Sequence, residues 1–284
     1  MRLIGLDIGG GMVKGGFFDD QNLLQVYTKR TKAKAGLDSV YGSIKETISA
    51  LLKNNGPANG IGVASCGDIT PEGVIKQAIN VPCLNGFPLK QTLKDEFHLP
   101  VFIINDAAGA LFGEVSQMGY KGNVTLLTFG SGVGSASLIG GKIHQETPYD
   151  FGHFPLVEGG APCLCGRNGC AEVYLSAKGL SRMASRRYGY LLGCPELLEK
   201  YREEDALAKK IIEDYSAMLK KLLAQVRKVM GEGLILLGGG LMGAQDVFAP
   251  YLPSQDTNEI NFAKLGNRAG IIGAAELARK GLYN

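Results

Sequence analysis

No stretch of this sequence approaches the ~18 to 20 consecutive apolar residues that a membrane-spanning helix needs. Its start, Met1-Arg2-Leu3-Ile4-Gly5-Leu6-Asp7, is too short an apolar run for a signal peptide and meets a carboxylate at once. The expectation is therefore a cytoplasmic protein whose thiols stay reduced. Charge is scarce too. A net +3 over 284 residues is too small to make nucleic acid or an anionic membrane the main partner. The densest basic run, Lys29, Arg30, Lys32 and Lys34, reads as a solvated strand edge or loop. A Walker A sequence is missing: the one Gly-Lys pair, Gly141-Lys142, is followed by Ile143 rather than Ser or Thr. Of the few histidines, His98 and His144 have no metal-binding or catalytic company and read as surface residues.

Glycine, by contrast, is abundant, with 41 residues punctuating short apolar runs as turns between strands do. Leu3 to Ile8 reads as a strand, Gly9-Gly10-Gly11 as a turn, and Met12 to Phe18 as the returning strand. Leu37, Val40, Tyr41, Ile44, Ile48, Leu51 and Leu52 share one face of a helix. Ile61 to Ala64 and Val101 to Ile104 are apolar on both sides, as buried parallel strands are. The pattern then recurs: Val124 to Phe129, the turn Gly130-Ser131-Gly132-Val133-Gly134, and a return over Ser135 to Ile139. A second long helix spans Leu207 to Val229. The strand Leu234 to Leu237 runs into Gly238-Gly239-Gly240, and Ile271 to Lys280 reads as helical.

Alternating strands and helices imply an α/β fold with partly parallel sheets. Two copies of a glycine-turn hairpin imply two related lobes, residues 1–110 and 111–267, with the helix at 268–284 expected to rejoin the first.

Three glycine turns after apolar strands suit phosphate, because backbone N–H groups approach an anion closely where no β-carbon intervenes. Asp7 ends the first strand beside one turn, where a carboxylate can hold Mg²⁺ or simply cap the turn. Asn105-Asp106 ends the Val101 strand, the end at which α/β sheets place active sites; a helix N-cap is the other reading of Asp106. Gly238, Gly240 and Gly243 match a dinucleotide fingerprint, which would make the chain an oxidoreductase, although little sequence follows them. Cys66, Cys83 and Cys194 are scattered and read as small buried apolar residues. His153, Cys163, Cys165 and Cys170 instead form a cluster that can close a tetrahedral structural zinc site; reduced thiols in a loop are the alternative.

Together these segments resemble the ROK family of sugar kinases and repressors, whose fold is the two-lobed, actin-like, hexokinase-type ATPase with a cleft between lobes. The resemblance covers essentially the whole chain. It lies in Asp7-Ile8-Gly9-Gly10, in Asn105-Asp106 with Gly113-Glu114, in Gly130 to Gly134 and in Phe151-Gly152-His153. It continues through the cysteine run Cys163 to Glu172 and Leu265 to Gly270. It implies ATP-dependent phosphorylation of a hexose or N-acetylhexosamine at its 6-hydroxyl, with Asp106 as general base. Asp7, Gly9, Gly10, Gly11, Lys14, Gly130, Ser131, Gly132, Val133, Gly134, Gly239 and Gly240 would hold ATP and Mg²⁺. Gly67, Asn80, Asn105, Asp106, Asp150, His153, Glu158 and Glu172 would bind the sugar, and Zn²⁺ would fix the sugar loop. A homodimer is implied as well.

Three departures stand out. Gly11 replaces a usual Thr, Ser135 a common glycine, and Asp150 a usual Glu. The family's repressors give a second reading, a non-catalytic sugar sensor. Those proteins carry an N-terminal helix-turn-helix, for which a phosphate motif starting at Leu3 leaves no room.

Overall fold

The computed structural model describes residues 1–144, 150–252 and 259–283. Strand β1 (Arg2–Ile8) turns at the glycines and returns antiparallel as β2 (Met12–Asp19), with Ile8 opposite Val13. β3 (Asn22–Arg30) pairs with β2 and takes in the start of the basic run, where Lys29 pairs with Glu46. Its residues alternate between exposed and half-buried, as on a strand with one wet face. In helix α1 (Leu37–Asn55), Val40, Ile44, Ile48 and Leu51 are buried at three- and four-residue spacing. β4 (Gly60–Ser65) is buried at every residue. A small hairpin follows, β5 (Asp68–Ile69) and β6 (Ile75–Gln77), then α2 (Leu89–Phe97), β7 (Val101–Asn105) and α3 (Asp106–Met118). The sheet order is β3-β2-β1-β4-β7, with β1, β4 and β7 parallel.

The same design is built again from β8 (Val124–Phe129), β9 (Val133–Ile139) and β10 (Lys142–His144), then α4 (Ala171–Leu175), α5 (Ala177–Tyr188), α6 (Cys194–Arg202) and the long α7 (Ala206–Met230). β11 (Leu234–Gly238), α8 (Gln245–Phe248) and β12 (Ile260–Phe262) complete it. Its sheet order, β10-β9-β8-β11-β12, repeats the first one strand for strand. α7 seats Ile211, Tyr215, Leu222 and Val226 in the core beneath this sheet.

The last helix, α9 (Ala269–Tyr283), packs on β1, β4 and α3. The approach requires glycine on both sides. A β-carbon on Gly5 would stand 2.0 Å from the Ile271 carbonyl oxygen, one on Gly62 1.7 Å from that of Ala274, and one on Gly273 1.7 Å from that of Gly109. The chain thus divides into Met1–Tyr120 with Asn267 onward, and Lys121–Gly266. The division falls beyond α3 rather than at residues 110/111, because α3 is one unbroken helix whose Gly109 and Gly113 lie against α9. Among the described residues no helix is long and apolar enough to cross a membrane.

Candidate active site

In the first unit the parallel neighbours β1, β4 and β7 end together. Ile8 lies opposite Ser65, and Ser65 opposite Asn105. This brings Asp7, the Cys66-Gly67 turn and Asn105-Asp106 to one edge of the sheet. Asn105, not Asp106, is the N-cap of α3. Its side-chain oxygen accepts the N–H groups of Ala107 (2.9 Å) and Ala108 (3.2 Å), and its amide donates to the Gly67 carbonyl at 3.2 Å. Asp106 becomes the first helical residue, its carboxylate accepting a shared Ala107 N–H at 2.9 Å. Burial, and next the charge of Asp7, push the Asp106 carboxyl up to about 6.

Burial also raises Asp7, while Lys14, opposite it on β2, draws it back through a 3.2 Å contact from Nζ to Oδ2. The Cys66 thiol is driven up by burial and by both carboxylates, and so is held as an inert neutral group. The first glycine turn is braced from outside. Gly9 donates its N–H to the Met12 carbonyl at 3.0 Å. The fully buried Thr31 donates its hydroxyl to the Gly9 carbonyl at 2.6 Å and its N–H to that of Gly11 at 3.0 Å. Gly67 has φ +97°, where a β-carbon would also stand 2.4 Å from the Gln77 carbonyl oxygen. Asn80 is half-buried in the turn after β6.

In the second unit the turn between β8 and β9 is confined to Gly130–Gly132, closed by an N–H of Gly130 on the Gly132 carbonyl at 2.9 Å. Val133 and Gly134, expected in the phosphate loop, already belong to β9, and the Val133 N–H is taken by the Glu172 carboxylate at 3.0 Å. Gly239 and Gly240 follow β11, the parallel neighbour of β8. Gly239, at φ +85°, lies against Phe129, where a β-carbon would be 2.5 Å from its carbonyl oxygen. The Gly238-Gly240-Gly243 spacing leads into a 3₁₀ turn, Leu241–Gly243, and the four-residue α8. No long helix starts there to receive a dinucleotide phosphate, so the oxidoreductase reading fails.

The cysteine run is a knuckle. Cys163 donates its N–H to the Arg167 carbonyl at 2.8 Å around Gly166 at φ +89°, and Pro155 pairs with Cys170. The ligand atoms of His153, Cys163, Cys165 and Cys170 all lie within 4.8 Å of one another. Cys163 Sγ is 3.6 Å from His153 Nδ1, and Cys165 Sγ is 3.6 Å from Cys170 Sγ. Tetrahedral zinc with bonds of about 2.3 Å to sulfur and 2.0 to 2.1 Å to nitrogen sets such atoms roughly 3.5 to 3.8 Å apart, so the four residues fit that ion. Nδ1 faces the thiols, which leaves Nε2 pointing out of the cluster. Burial opposes ionisation of Cys165, but Arg167 and the neighbouring thiols bring it down to about 6, while burial pushes Cys170 up to about 12.

Around the knuckle, the half-buried Asp150 heads the 3₁₀ turn Phe151–His153 and Glu158 is exposed. Ser135 uses its hydroxyl to accept the Phe151 N–H at 2.8 Å. The structure therefore groups the expected residues by unit. Asp7, the first turn, Lys14, Gly67, Asn80, Asn105 and Asp106 are in the first; the second and third turns, Asp150, His153, Glu158, Glu172 and the cysteines are in the second. Thr31, Ser135 and Gly270 had no site role in the sequence: Ser135 stood out only as a departure beside the second glycine turn, Gly270 only as the end of the Leu265 to Gly270 segment, and Thr31 carries no local motif.

The chain matches the ROK family over residues 3–281. It is 29% identical over 314 residues to a glucokinase of Halalkalibacterium halodurans, spanning 98% of this chain and 94% of that one. It is 27% identical over 294 residues to an N-acetylmannosamine kinase of Haemophilus influenzae, spanning 97% and 94%. Among solved structures, a ROK hexokinase from Thermus thermophilus matches with a TM-score of 0.78 at 26% identity, over 100% of this chain and 99% of that one. A match that runs through both units and takes in their repeated sheets leaves no separate segment to explain: the chain belongs to the ROK family and has its actin-like ATPase fold.

Proposed function

We propose that this protein transfers the γ-phosphate of ATP to the 6-hydroxyl of a hexose or N-acetylhexosamine, with Asp106 as general base. The observation that carries the reading is the placement of Asp106 at the end of β7. Asn105 has taken over the helix cap, and burial beside Asp7 raises the Asp106 carboxyl to about 6. A carboxylate so placed is ionised at neutral pH yet basic enough to accept a proton. A sensor could use this carboxylate only to bind the sugar, whereas a kinase also uses its basicity. The relatives named as kinases support the same reaction.

The sugar hydroxyl oxygen attacks the γ-phosphorus in line as the bond to the bridging oxygen of ADP breaks, and the hydroxyl proton passes to Asp106. Most of the catalysis is then positioning. The Gly67 backbone, Asn80, Asn105, His153 Nε2, Glu158 and Glu172 would orient the sugar. Asp150, one methylene shorter than Glu, would set which sugar fits. Glycine turns at Gly9–Gly11, Gly130–Gly132 and Gly239–Gly240 would hold the phosphates. Mg²⁺ bound with ATP would offset the negative charge of the polyphosphate, with Asp7 and its partner Lys14 beside it. Zn²⁺ would be held by His153, Cys163, Cys165 and Cys170 and would fix the loop geometry.

ADP release should be measured across glucose, N-acetylmannosamine, N-acetylglucosamine and fructose. Saturable release with one or more of them is expected; release no faster than without sugar, for every one, would overturn the reading.

A further inference from the structure

A glycine turn holds an anion well only when its amides are fixed beforehand, because glycine has the most backbone freedom to lose. Beyond the ladder of β8 with β9, the Gly130–Gly132 turn and the first residues of β9 are held by one other segment. Ala177, at the start of α5, donates its N–H to the Gly130 carbonyl at 2.8 Å. Glu172, two residues after Cys170, accepts the Val133 N–H at 3.0 Å in a charge-assisted bond. Ser135 accepts the N–H of Phe151, two residues before His153, at 2.8 Å. Gly152 lies so close that a β-carbon there would be 2.0 Å from the Val133 carbonyl oxygen.

Every one of these partners flanks the Cys₃His knuckle. The knuckle has little regular structure of its own. Among the described residues, two isolated bridges and left-handed glycines at 159, 166 and 169 connect Phe154 to Cys170. Turn hydrogen bonds such as Gly169 N–H to Ala161 and Cys163 N–H to Arg167 shape its backbone, and an ion held by the three thiols and the imidazole would tie those turns to one another.

We propose that Ser135 and Glu172 are positioning residues through which the knuckle holds the Gly130–Gly132 turn in its nucleotide-binding form, so that metal occupancy sets nucleotide affinity as well as the shape of the sugar loop. The inference rests on reading that turn as a phosphate site. It also gives Ser135 a purpose: a glycine there has no hydroxyl to accept the Phe151 N–H.

The test is calorimetric binding of MgADP, without sugar, to zinc-loaded wild type, Ser135→Ala and Ser135→Thr, with zinc counted per chain. Ser135→Ala should weaken MgADP roughly 5- to 10-fold at unchanged zinc content, the usual effect of losing one buried hydrogen bond, and Ser135→Thr should restore it. Chelator-stripped wild type should lose at least as much affinity, and its Val133 amide should exchange hydrogen faster, both reversing when zinc returns. Unchanged MgADP affinity in Ser135→Ala and in stripped protein overturns the coupling. If Ser135→Ala does not fold, the stripped and reloaded wild type decides alone: unmoved affinity and unmoved Val133 exchange overturn it. Wild type that binds no MgADP contradicts the nucleotide reading itself; wild type that binds it equally with and without zinc contradicts only the coupling.

Discussion

Gly270 lies against the carboxylate of Asp7: a β-carbon on Gly270 would stand 2.7 Å from Asp7 Cγ and 2.9 Å from Oδ2. Alanine suits a helix better than glycine by about 1 kcal/mol, so Gly270→Ala should leave α9 formed and push the carboxylate aside instead. ATP-dependent turnover should fall on the order of 10- to 100-fold while sugar binding persists, as a steady-state assay beside sugar titration would show. Gly273→Ala is the contrast. Its β-carbon meets backbone, 1.7 Å from the Gly109 carbonyl oxygen, so that variant should lose thermal stability first.

Thr31 holds both ends of the first glycine turn, through its hydroxyl on Gly9 and its N–H on Gly11. A peptide's C=O and N–H point opposite ways, so fixing the Gly9 carbonyl on Thr31 turns the Gly10 N–H away from it. Thr31→Val keeps the shape and removes one bond. The KM for ATP should rise roughly tenfold with the sugar KM unmoved, and Thr31→Ser should restore it.

Gly11 has open space around the position of a β-carbon, and its φ lies outside the left-handed region. Gly11→Thr should therefore fold normally, with a melting temperature within a few degrees of wild type. If a hydroxyl at this position reaches the phosphates, the KM for ATP should drop while the sugar KM stays fixed.

The raised Asp106 carboxyl sets two pH dependences. kcat/KM for the sugar should climb tenfold per pH unit up to about 6 and then level off, because only the carboxylate accepts the proton. For stability the sign is opposite. The native chain binds more protons at Asp106 than the unfolded chain between the ordinary carboxylate range and about 6, so this group's contribution falls as pH rises through 6. Asp106→Asn should consequently melt a few degrees above wild type at pH 8, with the gap closing toward pH 4.

Most of the sheet architecture was readable because its strands are short apolar runs bounded by glycine, and the repeat of Leu3–Phe18 in Val124–Ile139 reappears as two sheets of identical order. The Cys₃His cluster was readable because four side chains able to hold a metal fall within eighteen residues. What was hidden depends on partners distant in sequence. Thr31 meets Gly9 from 22 residues away, and Gly270 meets Asp7 from the other end of the chain. Val133 reads as a phosphate-loop residue in the sequence, but its N–H is held by Glu172, 39 residues on. Ala107 to Ala110 gave no sign that α3 stays with the first unit, because the reason is a glycine contact with α9.

Asp106→Asn, measured for sugar binding by calorimetry and for ADP release in the same preparation, tests the general base most directly. Sugar affinity should stay within about twofold of wild type while turnover falls on the order of 10² to 10⁴. Turnover near wild type in a variant that binds sugar normally would remove Asp106 as the base.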